Sequence, residues 1–115
     1  AYVSIVIKLS ELENPEKYSE KIIRLLKYIG YPRFMGSAAL ESAYVSIGLL
    51  DAFIDIIPRL RVVDLAASLH MARISGAYAK LINIKDELDL TYEGRISCII
   101  ASNEKLASEI IKLAL

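Results

Sequence analysis

One cysteine, no tryptophan and no excess of charge of either sign set the first limits on this chain of 115 residues. A lone thiol, Cys98, can close no intramolecular bridge and fits a reducing compartment, and without a second cysteine there is no metal-binding cysteine pair. Lys plus Arg and Asp plus Glu both number 14, which removes the electrostatic case for nucleic acid or an anionic membrane as the main partner. Although 55% of the residues are hydrophobic, no uninterrupted apolar run approaches the ~20 residues of a spanning helix. The most hydrophobic stretch, 43–57, is broken by Asp51 and Asp55. The opening "AYVSIVIKLSELE" lacks a basic leader and alternates like a strand, unlike a signal peptide. Low-complexity tracts, repeats and linkers are also missing. The expectation is one cytoplasmic domain over 1–115, large enough to bury a core without disulfides.

What is present alternates between strand and helix. "YVSIVIKL" (2–9) reads as a β-branched strand. Asn14-Pro15 predicts a helix start, followed at helical spacing by Tyr18, Ile22, Leu25, Leu26 and Ile29, with Gly30 as the stop. "YPRFM" is a short extended segment, because Pro32 disfavours helical angles at Tyr31. A second helix is expected over 37–47, ending at Gly48, then a strand "DAFIDII" (51–57) closed by Pro58. The third helix is expected to start at Asp64 and stop near Gly76. "AYAKLI" and "RISCIIAS" read as strands flanking a polar stretch, 83–95. The last helix opens after Asn103, with Leu106, Ile110, Ile111 and Ala114 on one face. This order predicts an α/β fold: a mixed sheet of about five strands with helices packed on its faces, layered α-β-α.

Gly36-Ser37-Ala38-Ala39 raises a question of chemistry. The first N–H groups of a helix lack intrahelical partners and carry the positive end of its dipole, which suits an anion or a sugar hydroxyl. Small side chains would let a ligand reach that backbone. The alternative is that Ser37 simply caps the helix while the alanines permit tight packing. Asp64 allows a similar choice between a capping carboxylate and a ligand of a hard cation such as Mg²⁺, which needs companions from elsewhere. Asp51, Phe53 and Asp55 share one face of their strand, with Asp55 the better placed for a ligand. Arg33, Arg59 and Arg61 are either solvated charges or phosphate contacts. His70, the only histidine, lies mid-helix without partners for a triad or a zinc site, and Cys98 in "SCIIAS" reads as an inert core thiol. No G-x-S-x-G and no phosphate loop of the G-x-x-x-x-G-K type occurs.

The order of these pieces carries a resemblance. "RFMGSAALESAYVSIGLLDAFID", then "LRVVDLAA", and finally "CIIASNEKLASEIIKLAL" resemble the C-terminal half of the inositol monophosphatase and fructose-1,6-bisphosphatase superfamily, its archaeal members above all. The resemblance runs from about Arg33 onward. It implies the C-terminal substrate-binding domain of a Mg²⁺-dependent phosphomonoesterase acting on inositol phosphate or fructose 1,6-bisphosphate. By the same resemblance Asp64 matches a metal-ligand aspartate. Gly36, Ser37 and Ala38 match the helix start that touches the substrate ring, and Asp55 matches the acidic residue that binds ring hydroxyls. Arg33, Arg59 and Arg61 are then candidates to hold phosphate.

This sequence departs from the family pattern in four places. Asp55 stands where inositol phosphatases usually have Glu. The segment before Asp64, "IIPRLRVV", is longer than in the animal enzymes. Ile74-Ser75-Gly76-Ala77 replaces the usual Glu-Ala-Gly-Gly. Above all, the family's Asp-Pro-(Ile/Leu)-Asp-Gly-Thr motif is missing: neither an Asp-Pro nor an Asp-Gly pair occurs. The catalytic set is therefore incomplete in this chain, the N-terminal metal-binding half is a required partner, and the chain alone is expected to be inactive. Two other readings stand beside this one. One is a non-catalytic binding or homodimerisation module of the same fold; the other is a self-sufficient enzyme using Asp51, Asp55 and Asp64.

Overall fold

A computed structural model describes residues 3–6, 16–30, 32–33, 37–82 and 93–114, with side chains for all of these but 6, 17–18, 38–39, 56–59 and 114. Four strands are described: β1 (Val3–Val6), β2 (Ala52–Leu60), β3 (Tyr78–Leu81) and β4 (Ile96–Ala101). They form one sheet in the order β1-β2-β4-β3. β1 runs parallel to β2, while β4 is antiparallel to both of its neighbours. The expected fifth strand contributes a single described residue. Arg33 bridges Ser4 in parallel on the outer edge of β1, with Ile5 N–H donating to Arg33 O and Arg33 N–H to Val3 O, each at 2.9 Å.

The period-two rule sorts the core into two halves. Val3, Ile5, Ala52, Ile54, Ile99 and Ala101 face helices α1 (Glu16–Ile29) and α4 (Glu104–Ala114). There they meet Ile22, Leu25 and Ile29 of α1 and Ala107 and Ile110 of α4. Phe53, Ile96, Cys98 and Ile100 face the other way and meet Val45 of α2 (Ala38–Ser46) with Leu65, Leu69 and Ala72 of α3 (Val62–Ser75). Every residue of β4 is buried, as a strand covered on both faces must be. The layered α-β-α expectation holds.

Helix ends follow their sequence signals with one exception. Ser37 caps α2, its Oγ accepting from Leu40 N–H at 3.4 Å, and Asn103 caps α4, its Oδ1 accepting from Leu106 N–H at 2.8 Å. Gly30 and Gly76 close α1 and α3 with φ of 78° and 85°, angles that a Cβ would strain. The expected start of α1 at Asn14-Pro15 lies outside the described residues, as does most of the polar stretch before β4. The exception is α3, which begins at Val62 rather than Asp64.

β2 also departs from expectation by continuing through Pro58 to Leu60. Its pairing with β4 jumps from Asp55↔Cys98 to Leu60↔Ile96, so five steps on β2 match two on β4. Pro58 falls inside that irregularity and beyond the stretch paired with β1. A missing N–H removes no ladder bond there.

Candidate functional site

Topology brings two helix N-termini to one face of the sheet. α2 ends at Ile47-Gly48, a short loop before β2 begins, and runs back along β2, so that Glu41 in its first turn reaches Ser4, the β1 neighbour of Phe53. α3 follows β2 directly and returns to Tyr78, whose partner Ala101 pairs in turn with Ala52 at the start of β2. Both helices therefore run against β2, with their positive ends directed away from its first residue. Ser37 and Asp64 stand at the starts of these two helices.

Asp64 is the third residue of α3 and exposed. Its Oδ2 accepts the Arg61 backbone N–H at 2.9 Å, while Asp64 N–H donates to Arg61 O at 3.0 Å. This is the reach-back half of a capping box, with the carboxylate at the favourable pole of the helix. The reciprocal half is absent, because an arginine side chain has no acceptor to offer. Asp64 was expected to open the helix. Its return bond instead draws Val62 and Val63 into the first turn.

Asp55 lies deep. It is 1% exposed, on the Phe53 side of β2, paired with Val6 on one side and Cys98 on the other. Burial and the neighbouring Asp55 charge push the Cys98 thiol far above its ordinary range, so the thiol stays neutral and inert as expected. Asp51 is half-buried just ahead of β2, where its carbonyl accepts Ser102 N–H at 2.8 Å. A strand of nine residues separates it from Asp64, roughly 30 Å of extended chain. Asp51, Asp55 and Asp64 thus sit before, within and after one strand. Among the described residues no group of three or more His, Cys, Asp and Glu could hold a metal ion. The described residues do not by themselves fit Mg²⁺.

The remaining candidates are dispersed. Arg33 is exposed on the β1 edge, and Arg61 is exposed at the N-cap of α3. Arg59 lies within β2 and Ala38 opens α2, both with side chains outside the described set, and Gly36 lies outside the described residues altogether. Ser37 is exposed.

Sequence reasoning missed Glu41, the sole charge of α2, which is completely buried. Ser4 Oγ lies 2.5 Å from Glu41 Oε1 and 3.3 Å from Arg33 O. The single hydroxyl proton goes to the nearer carboxylate oxygen, tying the first turn of α2 to β1. A lone Glu in "AALESAYVS" was the available signal, since a charge on an otherwise apolar helix needs a buried partner or water.

No protein-family profile matches the chain. Individual proteins do. The fructose-1,6-bisphosphatase/inositol-1-monophosphatase of Methanocaldococcus jannaschii is 34% identical over 100 residues, covering 85% of this chain and 36% of that protein. The bifunctional NADP phosphatase/NAD kinase of Methanococcus maripaludis is 36% identical over 95 residues, 77% of this chain and 17% of that protein. A solved protein from Pyrococcus horikoshii with similarities for inositol-1 monophosphatase superposes with a TM-score of 0.75 at 28% identity, over 99% of this chain and 42% of the other. The chain spans about a third of the length of the archaeal fructose-1,6-bisphosphatases it matches. Over about 80% of its length it is homologous to the C-terminal part, about 40%, of the archaeal fructose-1,6-bisphosphatase/inositol monophosphatase family, and it belongs with that part of the family.

Proposed function

We propose that this chain is the substrate-binding domain of a Mg²⁺-dependent phosphomonoesterase acting on a phosphorylated sugar or cyclitol, inositol phosphate or fructose 1,6-bisphosphate being the first candidates. Homology to archaeal enzymes named for those substrates carries the reading. The relative named as an NADP phosphatase extends the candidate class to phosphate esters on larger molecules. Asp64 is assigned one metal-ligand position. Gly36, Ser37, Ala38 and Asp55 are assigned to the sugar side, and Arg33, Arg59 and Arg61 to phosphate.

A capping carboxylate at the start of α3 and a second helix start on the same face of the sheet support that assignment, since a helix N-terminus favours an anionic ester. Asp55 enters the reading as a buried group. It reaches a ring hydroxyl only where a ligand displaces what covers it. Because the described residues hold no group of three or more His, Cys, Asp and Glu about Asp64, the other Mg²⁺ ligands are assigned to the N-terminal metal-binding half of the family's polypeptide.

The test is Mg²⁺-dependent phosphate release from inositol 1-phosphate and fructose 1,6-bisphosphate. The 115-residue chain alone is expected to be inactive. The same chain joined to the upstream part of the Methanocaldococcus relative is expected to be active, and Asp64→Asn in that fusion to lose at least about a hundredfold, as metal-ion charge stabilisation implies. Activity of the chain alone, or a fusion indifferent to Asp64→Asn, would defeat the proposal.

A further inference from the structure

A fully buried carboxylate is a costly feature in α2, whose other residues are all uncharged. Stability does not account for it, because apolar residues in place of a buried polar pair are often neutral or better. What the pair supplies is geometry. Ser4 is itself completely buried and, as the β1 neighbour of Phe53, turns its hydroxyl toward the α2 side of the sheet. That hydroxyl donates to Glu41 Oε1 at 2.5 Å, a short bond of defined direction.

The bond holds a particular place. Glu41 N–H donates to Ser37 O at 2.9 Å, so Glu41 stands one helical turn after the residue that starts α2. The backbone of Arg33 is held to the residues on either side of Ser4, Val3 and Ile5, at 2.9 Å each. Residues 33 and 37 are thus both referred to one point of β1, Arg33 through its backbone and Ser37 through Glu41. The cap of α2 is a weak constraint by itself, since Leu40 N–H reaches Ser37 Oγ only at 3.4 Å. We propose that Glu41 is a positioning residue for the sugar side of the site: through Ser4 it fixes the Ser37 helix start against β1 and so sets affinity for the ring of the ester. The identity of the ligand rests on the functional reading above; the tie between Glu41 and Ser4 does not.

Replacing both partners of a buried bond by apolar groups is nearly neutral for folding, so Ser4→Ala with Glu41→Leu removes the tie while α2 stays packed. The fusion with the upstream part of the Methanocaldococcus relative is assayed on inositol 1-phosphate and on p-nitrophenyl phosphate, an ester with no hydroxyls on its ring. The double variant is expected to raise KM for inositol 1-phosphate about tenfold with kcat within about twofold. KM for p-nitrophenyl phosphate should stay within about twofold. Glu41→Gln, which keeps an acceptor for the Ser4 hydroxyl, should recover most of the affinity. Amide hydrogen exchange on the 115-residue chain reads the tie without activity. The Leu40 and Glu41 amides should exchange about tenfold faster in the double variant, and the Leu106 amide at the Asn103 cap should not change. Three outcomes overturn the inference: an unchanged KM for inositol 1-phosphate, equal rises for both esters, or exchange at Leu40 and Glu41 that moves no more than at Leu106. A fusion inactive with the unaltered chain, beside faster exchange confined to Leu40 and Glu41, would count against the functional reading alone.

Discussion

The two helix layers of this molecule cover the same sheet and are built on opposite plans. α1 and α3 have the same length, fourteen residues each. α1 buries Ile22, Leu25 and Ile29, carries Glu16, Glu20, Lys21, Arg24 and Lys27 at other positions, and leaves Ile23 and Tyr28 about half exposed. α3 buries Val62, Leu65, Leu69 and Ala72 and sets Val63, Ala67 and Ile74 on the far side. The first plan is that of a helix whose outer face ends in water. The second leaves large apolar side chains outward beside Asp64, His70 and Arg73. Position relative to the sheet does not distinguish them; outward composition does.

The largest expected effects probe whether the inward faces are nonetheless equivalent. Leu25 and Leu65 are both fully buried, so Leu25→Ala and Leu65→Ala should each cost about 3 kcal/mol in chemical denaturation. A much smaller loss at Leu65 would break the comparison, showing the α2/α3 layer to be loosely held in the isolated chain. Next comes a test confined to the α2/α3 side, where Cys98 lies. The folded thiol keeps its proton above pH 9, the ordinary value, whereas the unfolded thiol loses it. The unfolded state then binds fewer protons, so stability present below that pH declines as pH rises toward the elevated folded value. Relative to Cys98→Ala, the chain should lose about 1.4 kcal/mol per unit over the alkaline range, measured as denaturation midpoints against pH.

A smaller pair sharpens the comparison at the helix ends. Gly30→Ala and Gly76→Ala should each destabilise by about 1 kcal/mol through left-handed backbone strain, since a Cβ at either position meets open space. Thermal melts that separated the two would mean the layers differ in more than their outer faces. The smallest effect is expected at the surface. Val63→Lys and Ile23→Lys should both shift the stability of the isolated chain by no more than about 0.5 kcal/mol. Equality there would show that exposed apolar side chains on either layer contribute little to folding.

Much of the fold was legible because local signals and burial agreed. Ser37, Asn103, Gly30 and Gly76 mark helix ends in sequence and in structure, and the mostly apolar run of β4, interrupted by Ser97, marked a strand. Pro58 misled because a proline stops a strand only where its N–H is needed, and the pairing irregularity removes that need. The Val62-Val63 start of α3 was hidden because β-branched residues make a poor helix signal, and what fixes it is a bond from Arg61 N–H to Asp64. Alternation gave Asp55 its face but not its depth, because depth depends on which helices cover that face. The candidate site was legible by likeness to known enzymes rather than by periodicity. Spacing alone could not tell Asp64 the cap from Asp64 the ligand, since the same carboxylate position serves both.

The strand order has a consequence for how the chain comes together. β3 precedes β4 in sequence, yet among the described residues its sheet partner is β4, which also supplies the second neighbour of β2. A ribosome that has released β1, β2 and β3 has therefore released two groups of strands with nothing to join them. The sheet can close only after residues 96–101 emerge, and the non-local pairings then form late and together. Until that moment the edge of β2 that pairs with β4 is open, which makes the interval before β4 arrives the time of greatest exposure to aggregation and to chaperones.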